Sequence, residues 1–63
     1  MSDEFEVEVD DVKAATDKAV LCVIDGEDEW IPRSQIIDGD VGYVGDSGSM
    51  IIPEWLAREK GWL

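Results

Sequence analysis

Four carboxylates recur at every second position near the start of the chain: Glu4, Glu6, Glu8 and Asp10, with Phe5, Val7 and Val9 between them. On an extended strand alternate residues share one face and stand roughly 6.6–6.8 Å apart. A DNA strand carries one phosphate per about 3.4 Å of axial rise, and these lie further apart along its tilted backbone. The two spacings are of the same order, so a row of this kind can occupy lysine and arginine sites built for phosphates. Carboxylates also suit the bidentate guanidinium fork. Asp11, then Asp25, Glu27, Asp28 and Glu29, extend the acidic track. These nine are the candidate partner-binding residues, and the chemistry they offer is recognition of a basic surface.

Other chemistries find less support. The chain has no histidine, so it lacks a Ser-His or Cys-His pair and an imidazole base. Paired carboxylates are plentiful, but in a small acidic chain proximity arises by chance, and a glycosidase-like dyad needs a cleft that 63 residues hardly build. The expectation is a protein that is not an enzyme and uses no cofactor. Asp38, Asp40 and Asp46 lie in a glycine-rich stretch that invites a calcium reading. The EF-hand pattern fails there twice, with Tyr43 in place of the invariant glycine and Ser49 in place of the bidentate glutamate. No metal site is expected.

Sixteen acidic residues against five basic ones give a net charge of -11. Charge of this size repels nucleic acid and anionic lipid, which excludes direct binding to either. It attracts basic partners, and large basic surfaces in a cell are commonly those that bind nucleic acid. Halophilic adaptation or plain solubility would give the same composition. The sign bias along the chain argues for a specific use: Met1 to Asp11 holds six acids and no base, whereas ordinary surfaces interleave both signs.

The elements that must position these residues centre on Ala19-Val20-Leu21-Cys22-Val23-Ile24, six consecutive apolar residues closed by Asp25-Gly26. This run predicts a strand buried on both faces. Cys22, the single cysteine, falls inside it and reads as a small core residue of a reduced, cytoplasmic protein. The period-2 segment from Glu4 to Asp10 predicts a strand with Phe5, Val7 and Val9 inward. Asp11 to Lys18 is compatible with either an extension of that strand or a loop. Asp25-Gly26-Glu27-Asp28 predicts a hairpin turn, and Glu29-Trp30-Ile31-Pro32 a returning strand that ends, or lies at an edge, at Pro32. Arg33 to Ile37 is short enough for one helical turn or a corner.

Four of the six glycines fall between Asp38 and Gly48, which predicts two turns around a short strand at Tyr43. Ser49 to Ile52 reads as a last strand. Pro53 to Lys60 reads as a helix of about two turns, with Pro53 and Glu54 at its start and Arg58, Lys60 and Gly61 at its end. Trp30, Trp55, Tyr43 and Phe5 are expected to pack, and Trp62 to be the aromatic exposed at an interface. The sum is a single α+β domain over residues 1–63, with 1–3 frayed. It comprises a small, bent antiparallel sheet of four to five strands, able to curl into a partly closed barrel, with one short C-terminal helix. No run approaches the roughly 18 apolar residues of a membrane span, and the acidic start is the opposite of a targeting leader. The expected location is the cytoplasm.

Two short runs, Trp30-Ile31-Pro32-Arg33-Ser34-Gln35-Ile36 and Ile52-Pro53-Glu54-Trp55-Leu56-Ala57 with Lys60-Gly61, resemble a small domain of phage and mobile-element reading frames. Within that group the acidic chain resembles phage anti-CRISPR proteins of the DNA-mimic kind. The resemblance implies an inhibitor acting in a host bacterial cell on a type I CRISPR effector, Cascade, at the subunit that reads the PAM or the target duplex. The two runs cover about a third of the chain and read mainly as structural. The alternatives are an accessory module of a mobile-element protein that binds through Trp62, Leu63 and the helix, or an inhibitor of another DNA-binding enzyme such as a glycosylase or nuclease.

Overall fold

A computed structural model describes residues 3–63. Six strands and one helix follow in order: β1 (Glu4–Val9), β2 (Asp11–Ala15), β3 (Ala19–Ile24), β4 (Glu27–Pro32), β5 (Asp38–Gly39), β6 (Gly48–Pro53) and α1 (Glu54–Glu59), with a 3₁₀ turn at Arg33–Gln35. They form two three-stranded antiparallel sheets, ordered β1-β6-β5 and β2-β3-β4. The α+β class with one short C-terminal helix is as expected. The single sheet of four to five strands is corrected to two sheets, because the first ribbon bends at Asp10 and passes from one sheet to the other. Strands that switch sheets at a bend are a common way to turn a sheet corner.

The open question at Asp11 to Lys18 resolves into β2, which pairs with β3 through a bulge at Lys13 between Val12 and Ala14. The extra residue increases the local bend and explains why no clean alternation is visible there. Thr16 closes the following turn, its Oγ1 accepting the amides of Lys18 and Ala19. The β3–β4 hairpin is narrower than the four residues expected: Ile24 pairs with Glu27, leaving Asp25 and Gly26 as a two-residue loop. Both have positive φ, 54° and 81°, the conformation that suits a twisted hairpin. Pro32 ends β4 on the sheet edge, where its missing amide breaks no ladder bond.

The core lies between the sheets and under α1. Val7, Val9, Val12, Val20, Cys22, Ile24 and Ile31 meet Met50, Ile52, Leu56 and Ala57, and no polar or charged residue among those described is buried. β3 alternates instead of being buried on both faces: Val20, Cys22 and Ile24 are buried, Ala19, Leu21 and Val23 only partly. Cys22 is fully buried, and burial pushes its thiol pKa up, which keeps it protonated and inert.

The aromatic expectations need correction. Tyr43 is 78 % exposed, and no strand forms around it. Trp55 is 52 % and Trp30 47 % exposed, while Trp62 packs partly buried against the core, along with Phe5. Trp55 precedes buried Leu56 and Ala57 on a helix of six residues, so it faces away from the sheet. Trp62 is turned inward by the helix end. The Trp62 amide donates to the Ala57 carbonyl at 2.8 Å and the Gly61 amide to Arg58 at 3.1 Å, the paired bonds of a Schellman cap.

The fraying expected at residues 1–3 falls, for Met1 and Ser2, outside the described residues. Asp3 is held, its carbonyl accepting the Glu54 amide at 2.7 Å. Among the described residues no helix is long and apolar enough to cross a membrane.

Candidate acidic interface

Strand β1 has the expected two faces. Val7 and Val9 are buried, and Glu4, Glu6 and Glu8 are exposed on the other side. The register with β6 pairs Glu4 with Pro53, Glu6 with Ile51 and Glu8 with Ser49, and β5 sets Asp38 against the far side of Ile51. Directly opposed residues share a face in an antiparallel ladder. The outer face of the first sheet therefore presents Glu4, Glu6, Glu8 and Asp38 around Ser49, Ile51 and Pro53, and none of these seven is basic. Spacing along β1 is about 6.8 Å per pair of residues, and Glu6 to Asp38 spans two strand separations, about 9.5 Å. Asp38, expected only in a calcium-like loop, joins this face through β5, which at two residues is too short to leave a strong periodic signal. The signal that could have found it is the alternation Ile37, Asp38, Gly39, Asp40 before β6.

The rest of the predicted track does not join this face. Asp10 sits at the bend, and Asp11 and Asp28 lie opposite Val23 on the outer face of the second sheet. Asp28 meets Lys13 at 3.2 Å. Glu27 and Asp25 are exposed at the hairpin. Glu29, half-buried, meets Lys60 at 3.3 Å, and the same ammonium donates to the Trp30 carbonyl at 3.1 Å. Asp28 and Glu29 are thus each paired with one of the fold's own bases, Asp28 at the surface and Glu29 partly buried. The basic residues lie on elements other than β1, β5 and β6: Lys13 on β2, Lys18 before β3, Arg33 in the 3₁₀ turn, Arg58 in α1 and Lys60 just after it. Arg33 ties two loops together, its Nε donating to the Thr16 carbonyl at 2.7 Å and its Nη2 to Gly42 at 2.8 Å.

The Asp38–Asp46 stretch offers no cation cage. Asp46 Oδ2 accepts the amides of Gly42 and Tyr43, both at 2.9 Å, and these bonds hold its carboxyl below the usual range. That aspartate therefore organises its own loop. Among the described residues no group of three or more potential metal ligands comes together.

The outer face of the first sheet presents fixed negative charge. Comparison with protein-family models, with curated proteins and with solved structures finds no match to this chain.

Proposed function

We propose that the protein is a non-catalytic inhibitor that acts as an acidic DNA mimic, setting the outer face of its first sheet into the basic DNA-recognition surface of a partner. The observation that supports this is the placement of exposed Glu6 and Glu8 on β1 and Asp38 on β5 about a hydrogen-bonded sheet whose three strands contain no basic residue. A sheet fixes the spacing of these carboxylates before binding, so little conformational freedom is lost on docking. Competition with DNA requires no covalent step and no cofactor. The identity of the partner as the Cascade effector rests on the resemblance of the two sequence motifs alone. The test is a DNA-binding assay of purified type I effector with and without the protein. The expected result is loss of DNA binding, relieved by added salt and abolished by Glu6→Lys with Glu8→Lys. Full inhibition by that charge-reversed variant would transfer the activity to another surface.

A second reading has its own observation. Trp55, Trp30 and Leu63 are exposed large hydrophobics, and they suit an accessory module that assembles with other proteins through apolar contact. Such association persists or strengthens at high salt, where carboxylate docking weakens.

A further inference from the structure

Strand β1 is also the edge of its sheet, and its open side forms a groove of about 320 Å³. The main-chain direction on that side follows from the ladder. The Glu54 amide donates to the Asp3 carbonyl, so the hydrogen-bonded pairs with β6 continue at Phe5, Val7 and Val9. Glu4 opposite Pro53, which has no amide to give, fits the same phase. The N–H and C=O groups of Glu6 and Glu8 consequently point away from β6. The Asp10 amide, in phase with them, donates to the Val23 carbonyl of β3 at 2.8 Å. Beyond that bond β3 turns back at Asp25-Gly26, and among the described residues no strand is hydrogen-bonded to the edge at Glu8 and Glu6.

Both edges of the second sheet are treated differently. The Gly45 amide donates to the Val12 carbonyl on β2, and Lys60 caps the Trp30 carbonyl on β4. Along β1 the open edge instead faces a trough whose apolar lining comes from Phe5, Val7, Ile24 and Trp62. Its rim carries Glu6, Glu8, Asp10 and Asp25, none of which is in an ion pair among the described residues.

We infer that this groove binds an extended segment of a partner protein that adds to β1 as a further strand, with a basic–apolar–basic pattern. Residues of the added strand opposite Glu6 and Glu8 stand on their face, where lysine or arginine meets the carboxylates. The residue between them points inward, toward Ile24 and Trp62. An exposed strand edge invites any extended chain, and the charge on the rim selects among them. A second copy of β1 would bring its own glutamates against these, and like charges directly opposite one another are unfavourable. A basic segment is the occupant that the rim favours. The edge site shares Glu6 and Glu8 with the outward carboxylate face, but it needs the free main-chain edge of β1 and the trough beside it, so it stands without the DNA-mimic reading.

The test is titration of the ¹⁵N-labelled protein with a blocked peptide of alternating lysine and valine, nine residues long. Its control is the same peptide N-methylated at alternate amides. Slowed hydrogen exchange at the Glu6 and Glu8 amides, a shift of the Trp62 indole resonance, and loss of binding on N-methylation support strand addition. Glu6→Gln with Glu8→Gln should weaken binding between about 2- and 30-fold, the worth of two cross-strand charge pairs. Equal binding of the N-methylated peptide, or shifts confined to Asp38 and Ile51, would overturn the inference by reducing the contact to surface charge. Concentration-dependent protection of Glu6 and Glu8 without peptide would give the edge to a second copy and overturn it too. Asp38→Lys separates this site from DNA mimicry: it should impair competition with DNA while leaving peptide protection of Glu6 and Glu8 in place.

Discussion

Glu6 and Asp38 stand on opposite sides of Ile51, one on β1 and the other on β5, with both residues facing out from the first sheet. The pairing puts carboxylates at both margins of a three-stranded surface from parts of the chain 32 positions apart in sequence. Because β6 fixes both neighbours through its two hydrogen-bonding edges, the separation is set by strand geometry and not by side-chain choice. Asp28, by contrast, is already engaged with Lys13.

This relationship predicts an unequal charge scan. Asp38→Lys should reduce inhibition of DNA binding as strongly as Glu6→Lys, whereas Asp28→Lys should change it by less than about twofold, since Asp28 lies on the outer face of the second sheet. All three positions are exposed, so stability should stay within about 0.5 kcal/mol of the parent. Urea unfolding and a DNA-competition assay on the same samples check both parts. Equal losses at Asp38 and Asp28 would mean that net charge, without geometry, carries the effect.

The parts of the fold that were legible are those whose signal is local. Strict alternation in Glu4–Asp10 marks β1, Asp25-Gly26 marks the hairpin, and Pro53 with Gly61 brackets the helix. What stayed hidden depends on pairing across the chain. The bulge at Lys13 breaks the periodicity of β2, and two-residue β5 exists only because β6 lies beside it. The candidate site divides in the same way. Glu4, Glu6 and Glu8 were visible as a row, but the bend at Asp10 sends Asp11 to the second sheet, where pairing with β3 also puts Asp28, and no local pattern announces a sheet change. Phe5 packs as expected, but Trp30, Trp55 and Tyr43 were misread because each was judged by its apolar neighbours. On a strand the residue next to buried Ile31 must point outward, which places Trp30 outside opposite Leu21.

Trp62 and Trp55 should therefore respond in opposite ways. Full burial of a tryptophan is worth about 3–5 kcal/mol on truncation to alanine, and Trp62 is only partly buried, so Trp62→Ala should cost on the order of 2 kcal/mol. Trp55→Ala should cost less than about 1 kcal/mol, since half of its surface is already in water. Chemical denaturation of the two variants decides, and a larger loss at Trp55 would contradict the Schellman cap that turns Trp62 inward.

Acid should loosen the loop before it unfolds the sheets. The Gly42 and Tyr43 amides lower the Asp46 pKa by binding its ionised form. A carboxyl whose folded pKa is depressed contributes stability above its ordinary unfolded pKa and loses it as pH falls through the lowered folded value. Hydrogen exchange at Gly42 and Tyr43, corrected for its intrinsic pH dependence, should accelerate as pH drops below the ordinary aspartate range, while Val7 and Cys22 stay protected. Asp46→Ala should show fast exchange at both loop amides at neutral pH and little further change in acid.

Two glycines separate backbone strain from steric contact. A Cβ on Gly26 would meet nothing within 4 Å, but its φ of +81° is a left-handed conformation that costs an L-residue roughly 1–2 kcal/mol. At Gly39 a Cβ would lie 2.7 Å from the Met50 Cα and 2.8 Å from the Ser49 carbonyl oxygen, with φ at +150°. Backbone atoms of β6 cannot yield without breaking the ladder that holds Met50 in the core. Gly39→Ala should therefore destabilise by more than Gly26→Ala, on the order of 3 kcal/mol, by adding overpacking to strain. It should also detach β5, exposing the Asp40 amide that now donates to Ser49. Thermal unfolding ranks the two variants, and amide exchange at Asp40 tells detachment of β5 from uniform loss of stability. A Gly39→Ala protein as stable as the parent would mean that β5 does not lie against β6, and the placement of Asp38 opposite Glu6 would fall with it.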